Sequence, residues 1–156
     1  MPRYGRVPKR KILPDPVYGS LVVSKFINKL IECGKKSKAE KIVYSAFSEI
    51  KKKMGKEPLE IFEAAVKSVM PLMEVKSRRV GGATYQVPIE VSRDRAQALA
   101  FQWLREAARE RPGKSMAEKL SAEIMDALNN AGGAKKKQDD MHKTAEANKA
   151  FAHFRW

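Results

Sequence analysis

The sequence is poor in the residues that build disulfides and metal sites. It contains one cysteine, Cys33, and two histidines, His142 and His153. A single cysteine excludes a disulfide within the chain, and these three side chains cannot supply the four ligands of a structural zinc site. Cys33 ends the helical run LVVSKFINKLIEC, so we expect a packed thiol in a reducing compartment rather than a reactive one. Neither a metal nor a cofactor is predicted.

Long apolar runs are also missing. No segment approaches the roughly 18 consecutive apolar residues that suffice to cross a bilayer. The N-terminus is basic but lacks the apolar stretch of a signal peptide. The sequence therefore predicts a cytoplasmic protein with no membrane partner.

Acidic residues are the third shortage. The chain carries 18 Asp and Glu against 32 Lys and Arg, which gives a net charge of +14 over 156 residues. Such an excess of one sign destabilises a compact monomer by self-repulsion unless a polyanion neutralises it. A nucleic acid is therefore the leading candidate partner.

The first segment, residues 1–16, is predicted to be an extended basic arm. Its prolines exclude a regular helix, and no acid precedes Asp15. The basic residues of the arm are Arg3, Arg6, Lys9, Arg10 and Lys11.

The rest of the chain predicts a mainly α fold, a single helical domain with about six helices and one protruding β-hairpin. Apolar residues recur at helical spacing, and turn residues separate the runs. The expected segments are helices one to three in 17–71, a hairpin in 72–91, helices four and five in 92–131 and a C-terminal helix in 134–156. Large residues expected on the buried faces include Phe26, Phe47, Phe62, Leu104 and Leu120.

Polar residues and glycines predict where several helices begin and end. Capping boxes are expected at Ser37 with Glu40 and at Ser115 with Glu118, and Ser92 is expected to cap the fourth helix. The pair Gly132-Gly133 is expected to end the fifth helix.

The hairpin is predicted by Gly81-Gly82, because both glycines can take the positive φ of a tight two-residue turn. Met73, Val75, Ile89 and Val91 are expected to pack its base on the helices. The tip offers only Val80, Ala83 and Tyr85 as apolar or aromatic content. A two-stranded ribbon is marginal in water by itself, so this tip needs a partner.

Two sequences end like a phosphate-binding loop, GKKS at 34–37 and PGKS at 112–115. For the second, the full pattern requires a glycine at the position of Ala108 and a preceding strand, and the chain predicts a helix there instead. Asp139 and Asp140 near His142 are expected to form a solvated helix face. An enzyme is therefore not predicted; the nucleotide-driven alternative requires nucleotide to bind at Lys114.

Basic side chains cluster where the chain turns, and several arginines lie near Tyr4, Tyr18 or Tyr85. A guanidinium binds phosphate in a bidentate manner, and both arginine and tyrosine stack on bases. Separated contact points of this kind suit folded RNA, whereas a single recognition helix suits duplex DNA.

Four motifs, LPDPVYGS, VSKFINKLIECGKKSKAEKIVYSAF, SRRVGGATYQVP and MHKTAEANKAFAHFRW, together closely resemble the bacterial form of small-subunit ribosomal protein seven. The resemblance runs essentially from end to end. It implies a primary binder of small-subunit ribosomal RNA, in the 3′ major domain, that nucleates assembly of the head. It also implies a hairpin tip near the exit-site tRNA and the mRNA path, with small-subunit proteins nine and eleven as neighbours.

The resemblance also implies a set of RNA-binding residues, to which Tyr85 is added as a stacking candidate. They are the five basic residues of the arm, Lys35, Lys36, Lys38, Lys76, Arg78, Arg79, Arg95, Arg111 and Lys114. The alternative is a general basic nucleic-acid-binding protein, which would compact DNA, or a regulatory protein. Competition between folded ribosomal RNA and duplex DNA distinguishes the two.

Overall fold

A computed structural model describes Gly5 and residues 11–154 of the chain. Arg3, Arg6, Lys9 and Arg10 of the arm lie outside the described residues. In chain order the elements are α1 (Leu21–Leu30), α2 (Lys36–Met54), α3 (Pro58–Val69), β1 (Met73–Val80), β2 (Ala83–Glu90), α4 (Arg93–Glu110), α5 (Met116–Leu128), α6 (Gly132–Ala147) and a 3₁₀ helix (Lys149–Phe154). This confirms the predicted mainly α domain with one hairpin.

The core lies where the apolar faces of the helices meet. Phe62 of α3 is at its centre, with ring centroids 5.0 Å from Phe26 of α1 and 5.3 Å from Phe47 of α2. Phe101 of α4 stacks on Phe62 at 6.3 Å. Leu104 and Leu120 are fully buried, which brings α4 and α5 into the same core. The helical spacing of apolar residues therefore identified the buried faces correctly.

The predicted helix caps are only partly present. Ser115 caps α5 as expected, since its hydroxyl accepts the Glu118 amide at 3.2 Å. The Ser37 capping box is wrong, because α2 begins at Lys36, two residues before the start that a Ser37 cap requires, with Lys35 at the cap and no side-chain cap bond. Ser92 does precede α4, but its side chain makes no cap bond.

The expectation of a packed Cys33 is also wrong. The first helix ends at Leu30, and Cys33 lies beyond it in a turn with φ +51°, followed by Gly34 at +72°. The Cys33 side chain is exposed. Because α1 ends three residues before Cys33, this side chain is not on the buried face of the helix.

Gly132-Gly133 does not end the fifth helix but begins the sixth. Gly132 has φ +91°, and a Cβ placed there would lie 2.9 Å from Oε1 of Glu123. That oxygen accepts the Ala134 amide at 2.8 Å, so a carboxylate from α5 caps α6. Gly132 is needed for this close approach, whereas a Cβ at Gly133 would lie 3.1 Å from the Cβ of Ala107. The α-helix ends at Ala147 and a 3₁₀ helix follows at Lys149–Phe154; the predicted end at residue 156 lies outside the described residues.

The hairpin turns at Gly81-Gly82, both with positive φ, and pairs Val80 with Ala83 and Met73 with Glu90. The prediction that the base of the hairpin packs on the body is only partly correct. Val87 and Pro88 are buried there, while the four expected apolar residues are only half-buried. In addition, β1 contacts α6 and β2 contacts the terminal 3₁₀ helix, so the C-terminal segment supports the ribbon.

Candidate nucleic-acid interface

Three exposed lysines, Lys35, Lys36 and Lys38, surround the start of α2. The first turn contains no acid, and no side chain caps it. Lys36 reaches Glu40 at 3.7 Å, but the positive end of a helix dipole favours anions over lysines. A phosphate placed here would accept bonds from the first amides and neutralise the lysines at the same time.

A buried carboxylate fixes the end of the arm beside this site. Asp15 is 4% exposed and accepts the Tyr44 hydroxyl at 2.7 Å and the Tyr18 amide at 3.0 Å. Burial raises the pKa of the Tyr44 phenol, and the hydrogen bond to Asp15 raises it further. Lys11 and Lys36 line one groove next to this anchor. The fold therefore brings the described end of the arm together with Lys36 at the start of α2.

Lys76 of β1 and Arg95 of α4 converge on one acid that sequence reasoning missed. Glu74 has 9% of its side chain exposed, and its carboxylate lies 3.3 Å from Nζ of Lys76 and 3.2 Å from Nε of Arg95. The register of the strand contained a signal for this. Residues 74 and 76 share a strand face, and an acid two positions before a lysine can contact it.

At the tip, Arg79 is exposed opposite Thr84, and Arg78 is half-buried opposite Tyr85. The ring of Tyr85 lies 5.2 Å from Phe151 and 4.9 Å from Phe154 of the 3₁₀ helix. Its partners are thus within the chain, and stacking of Tyr85 on a base stays a prediction.

The last two predicted contacts, Arg111 and Lys114, occupy different environments. Lys114 is exposed, whereas Arg111 forms ion pairs with Glu123 and Asp126. Burial by itself lowers the pKa of the Arg111 guanidinium, but the bonds to Asp126 and Glu123 outweigh it and raise the pKa. Arg111 therefore has a structural function, and its predicted contact with RNA stays a prediction.

Comparison with known proteins identifies the family of this chain. Residues 2–149 match the family model described as ribosomal protein S7p/S5e. The chain belongs to the S7p/S5e family. It is 64% identical to small ribosomal subunit protein uS7 of Carboxydothermus hydrogenoformans, 65% to that of Pelotomaculum thermopropionicum and 60% to that of Desulforamulus reducens, each over the full length of both chains.

Membership of the S7p/S5e family confirms the resemblance found in the sequence. It also confirms the predicted role as a non-enzymatic constituent of the small ribosomal subunit. Within residues 11–154, no helix is both long and apolar enough to cross a membrane.

The PGKS motif and His142, which were considered as possible parts of an enzyme site, have structural roles in this S7-family chain. Ser115 of PGKS caps α5, and the α4 helix rather than a strand precedes the motif. Nε2 of His142 accepts the Leu72 amide at 3.0 Å, which attaches α6 to the segment before the hairpin. Among the described residues, no three His, Cys, Asp or Glu side chains gather as a metal site would require.

The basic cluster at 135–137 is also partly internal in this S7-family fold. Lys137 lies 3.3 Å from Glu106 and 3.1 Å from Glu110 of α4, and Lys135 donates to the Ser68 carbonyl at 3.2 Å. Burial favours a raised pKa for Glu106, but the bonds from Gln102 and Lys137 outweigh it and lower the pKa. These lysines hold α6 on the body, so this cluster of basic residues in the sequence is partly used for contacts within the fold.

Proposed function

We propose that this chain is a primary binder of small-subunit ribosomal RNA that seats in the 3′ major domain and nucleates assembly of the head. The observation that carries the proposal is the start of α2, where three exposed lysines surround an uncapped helix end that contains no acid. This arrangement is unfavourable in the free protein and becomes favourable when a phosphate binds.

Further exposed cations lie at separate places on the fold, as a folded RNA requires. The proposed contacts among the described residues are Lys11, Lys35, Lys36, Lys38, Lys76, Arg78, Arg79, Tyr85, Arg95, Arg111 and Lys114. Arg3, Arg6, Lys9 and Arg10 complete the proposal from the arm. Arg111 is only partly accessible, because 25% of its side chain is exposed and two acids already bind it.

The hairpin tip is proposed to lie near the exit-site tRNA and the mRNA path, with small-subunit proteins nine and eleven as neighbours. Supporting this, Arg79, Gly81, Gly82 and Thr84 are all exposed at the far end of the ribbon. The ribbon is buried at its base, at Val87 and Pro88, and beyond the base Tyr85 contacts Phe151 and Phe154. The fold of the body therefore does not require these tip side chains.

Binding to a transcribed 3′ major domain of small-subunit ribosomal RNA tests the proposed function. With roughly six neutralised phosphates, the logarithm of the association constant is expected to fall with log salt at a slope of about −4 to −5. Duplex DNA of equal length is the competitor. Displacement by DNA as effective as by the RNA itself would favour the general nucleic-acid-binding alternative, and a flat salt dependence would contradict both.

Replacing residues 78–84 with a short glycine-containing turn separates the tip from the body. The isolated protein is expected to fold, and heads are expected to assemble, because the α2 lysines and the arm remain. Retention of exit-site tRNA in the assembled subunits is expected to weaken. The measurement is head formation and exit-site occupancy with subunits reconstituted from variant and unchanged protein. Failure of head formation with a folded protein would make the tip an assembly anchor instead.

A further inference from the structure

Glu74 is a nearly buried acid that joins two exposed cations from different elements. It lies on β1, with 9% of its side chain exposed, in a hairpin whose other acid, Glu90, is at the end of β2. Its two oxygens are divided between partners, since Oε1 lies 3.3 Å from Nζ of Lys76 and Oε2 accepts Nε of Arg95 at 3.2 Å. The side chains of Lys76 and Arg95 remain 58% and 55% exposed. One fixed anion therefore holds two solvent-facing cations in place.

This geometry leaves donors directed at a ligand. Glu74 engages Arg95 through Nε, so the edge formed by Nη1 and Nη2 can bind two oxygens of a second anion. The Lys76 ammonium has three donors, and one carboxylate oxygen does not satisfy them all. Two cations against one acid leave a local charge of +1, so the cluster still attracts an anion.

The start of α4 adds to this attraction. Arg95 is the third residue of α4, and the Ser92 side chain makes no cap bond to the first turn. The positive end of the dipole of an 18-residue helix thus lies at the cluster. Asp94 in the same turn interacts with Lys25 of α1 at 3.8 Å.

We propose that Glu74, Lys76 and Arg95 form a seat for one RNA phosphodiester, in which Glu74 is the positioning residue. The proposal rests on the proposed function and assigns this acid a role in it. A flexible lysine and arginine lose side-chain freedom when they bind a phosphate, and cations that are already fixed lose less. Glu74 is close enough to hold both, while its own charge is compensated by them.

Glu74→Gln tests the proposal because a net-charge effect and a positioning effect predict opposite changes in RNA affinity. If only net charge matters, removal of an acid strengthens RNA binding. If Glu74 positions the cations, affinity for the transcribed 3′ major domain falls roughly tenfold, the scale of one charged hydrogen bond. The salt slope is then also expected to become shallower by about one.

Glu57→Gln is the matched control. Glu57 lies 3.2 Å from Lys51, but both side chains are exposed, at 64% and 61%, so this acid fixes little. The control is expected to bind RNA at least as tightly as the unchanged protein. If Glu74→Gln behaved in the same way with an unchanged melting temperature, the positioning role would be overturned.

Arg95→Lys provides a second variant whose folding is not in question, because Arg95 is more than half exposed. It keeps the charge but removes Nε and the planar fork, so affinity is expected to fall by a factor similar to that of Glu74→Gln. Adding Glu74→Gln to Arg95→Lys is expected to change little further, since coupled residues are not additive. Unchanged affinity in Arg95→Lys would overturn the seat. Absence of salt-dependent RNA binding by the unchanged protein would overturn the proposed function instead.

Discussion

Replacing Glu123 with alanine is expected to lower the free energy of unfolding by about 3–5 kcal/mol, the cost of breaking a buried ion pair by removing one partner. Glu123 is fully buried and bridges two features, the Arg111 guanidinium and the Ala134 amide that begins α6. The variant leaves that amide without its acceptor and opens a cavity beside Gly132. Chemical denaturation measures the loss, and hydrogen exchange at the Ala134 amide reports whether the start of α6 has opened.

Two controls isolate the cause. Glu123→Gln retains an oxygen for the Ala134 amide but loses the charge that faces Arg111, so its loss of stability is expected to be smaller than that of Glu123→Ala. Glu118→Ala removes an exposed acid of the same helix, which accepts the Lys114 amide at 3.3 Å. This change is expected to cost about 1 kcal/mol or less. Equal losses from Glu118→Ala and Glu123→Ala would contradict the buried-cap interpretation.

The same residues show why the sequence predicted the helices but not all their ends. An apolar stripe is a local signal, so Phe26 and Phe62 mark the buried faces of α1 and α3 without knowledge of the rest of the fold. Gly132 gives no such signal. A glycine after an apolar run usually ends a helix. Here it begins one, because the carboxylate of Glu123 reaches the Ala134 amide from 11 residues away.

The exposure of the candidate RNA-binding residues was predictable to a similar extent. Exposed lysines at the start of α2 follow from the sequence, since they lie at the beginning of an amphipathic run whose first turn contains no acid. The partial burial of Arg111 and the packing of Tyr85 on aromatic rings do not follow from the sequence. Both depend on partners brought near by the fold, Asp126 in one case and Phe151 with Phe154 in the other. Basic residues can therefore be counted from the sequence, but only the structure shows which ones are available to RNA.

Phe47→Ala is expected to cost about 3–5 kcal/mol, because the ring is fully buried and its removal leaves a cavity. Its centroid lies 5.3 Å from Phe62 and 5.2 Å from Tyr18, so the cavity would open between α2, α3 and the turn that follows the arm. For a chain of this length the melting temperature is expected to fall by about 6–20 °C. Phe47→Leu retains part of the volume and is expected to lose less.

Arg79→Ala is the opposite case and tests whether the tip belongs to the fold. Arg79 is exposed at the end of the ribbon, so the free energy of unfolding is expected to change by no more than about 0.5 kcal/mol. RNA affinity is expected to fall in this variant, whereas the folded fraction of Phe47→Ala is expected to bind RNA as the unchanged protein does. Calorimetry and RNA titration on the same preparations measure both effects. Comparable destabilisation by the two substitutions would mean that the tip packs on the body, and the division between a structural core and an RNA-facing hairpin would be wrong.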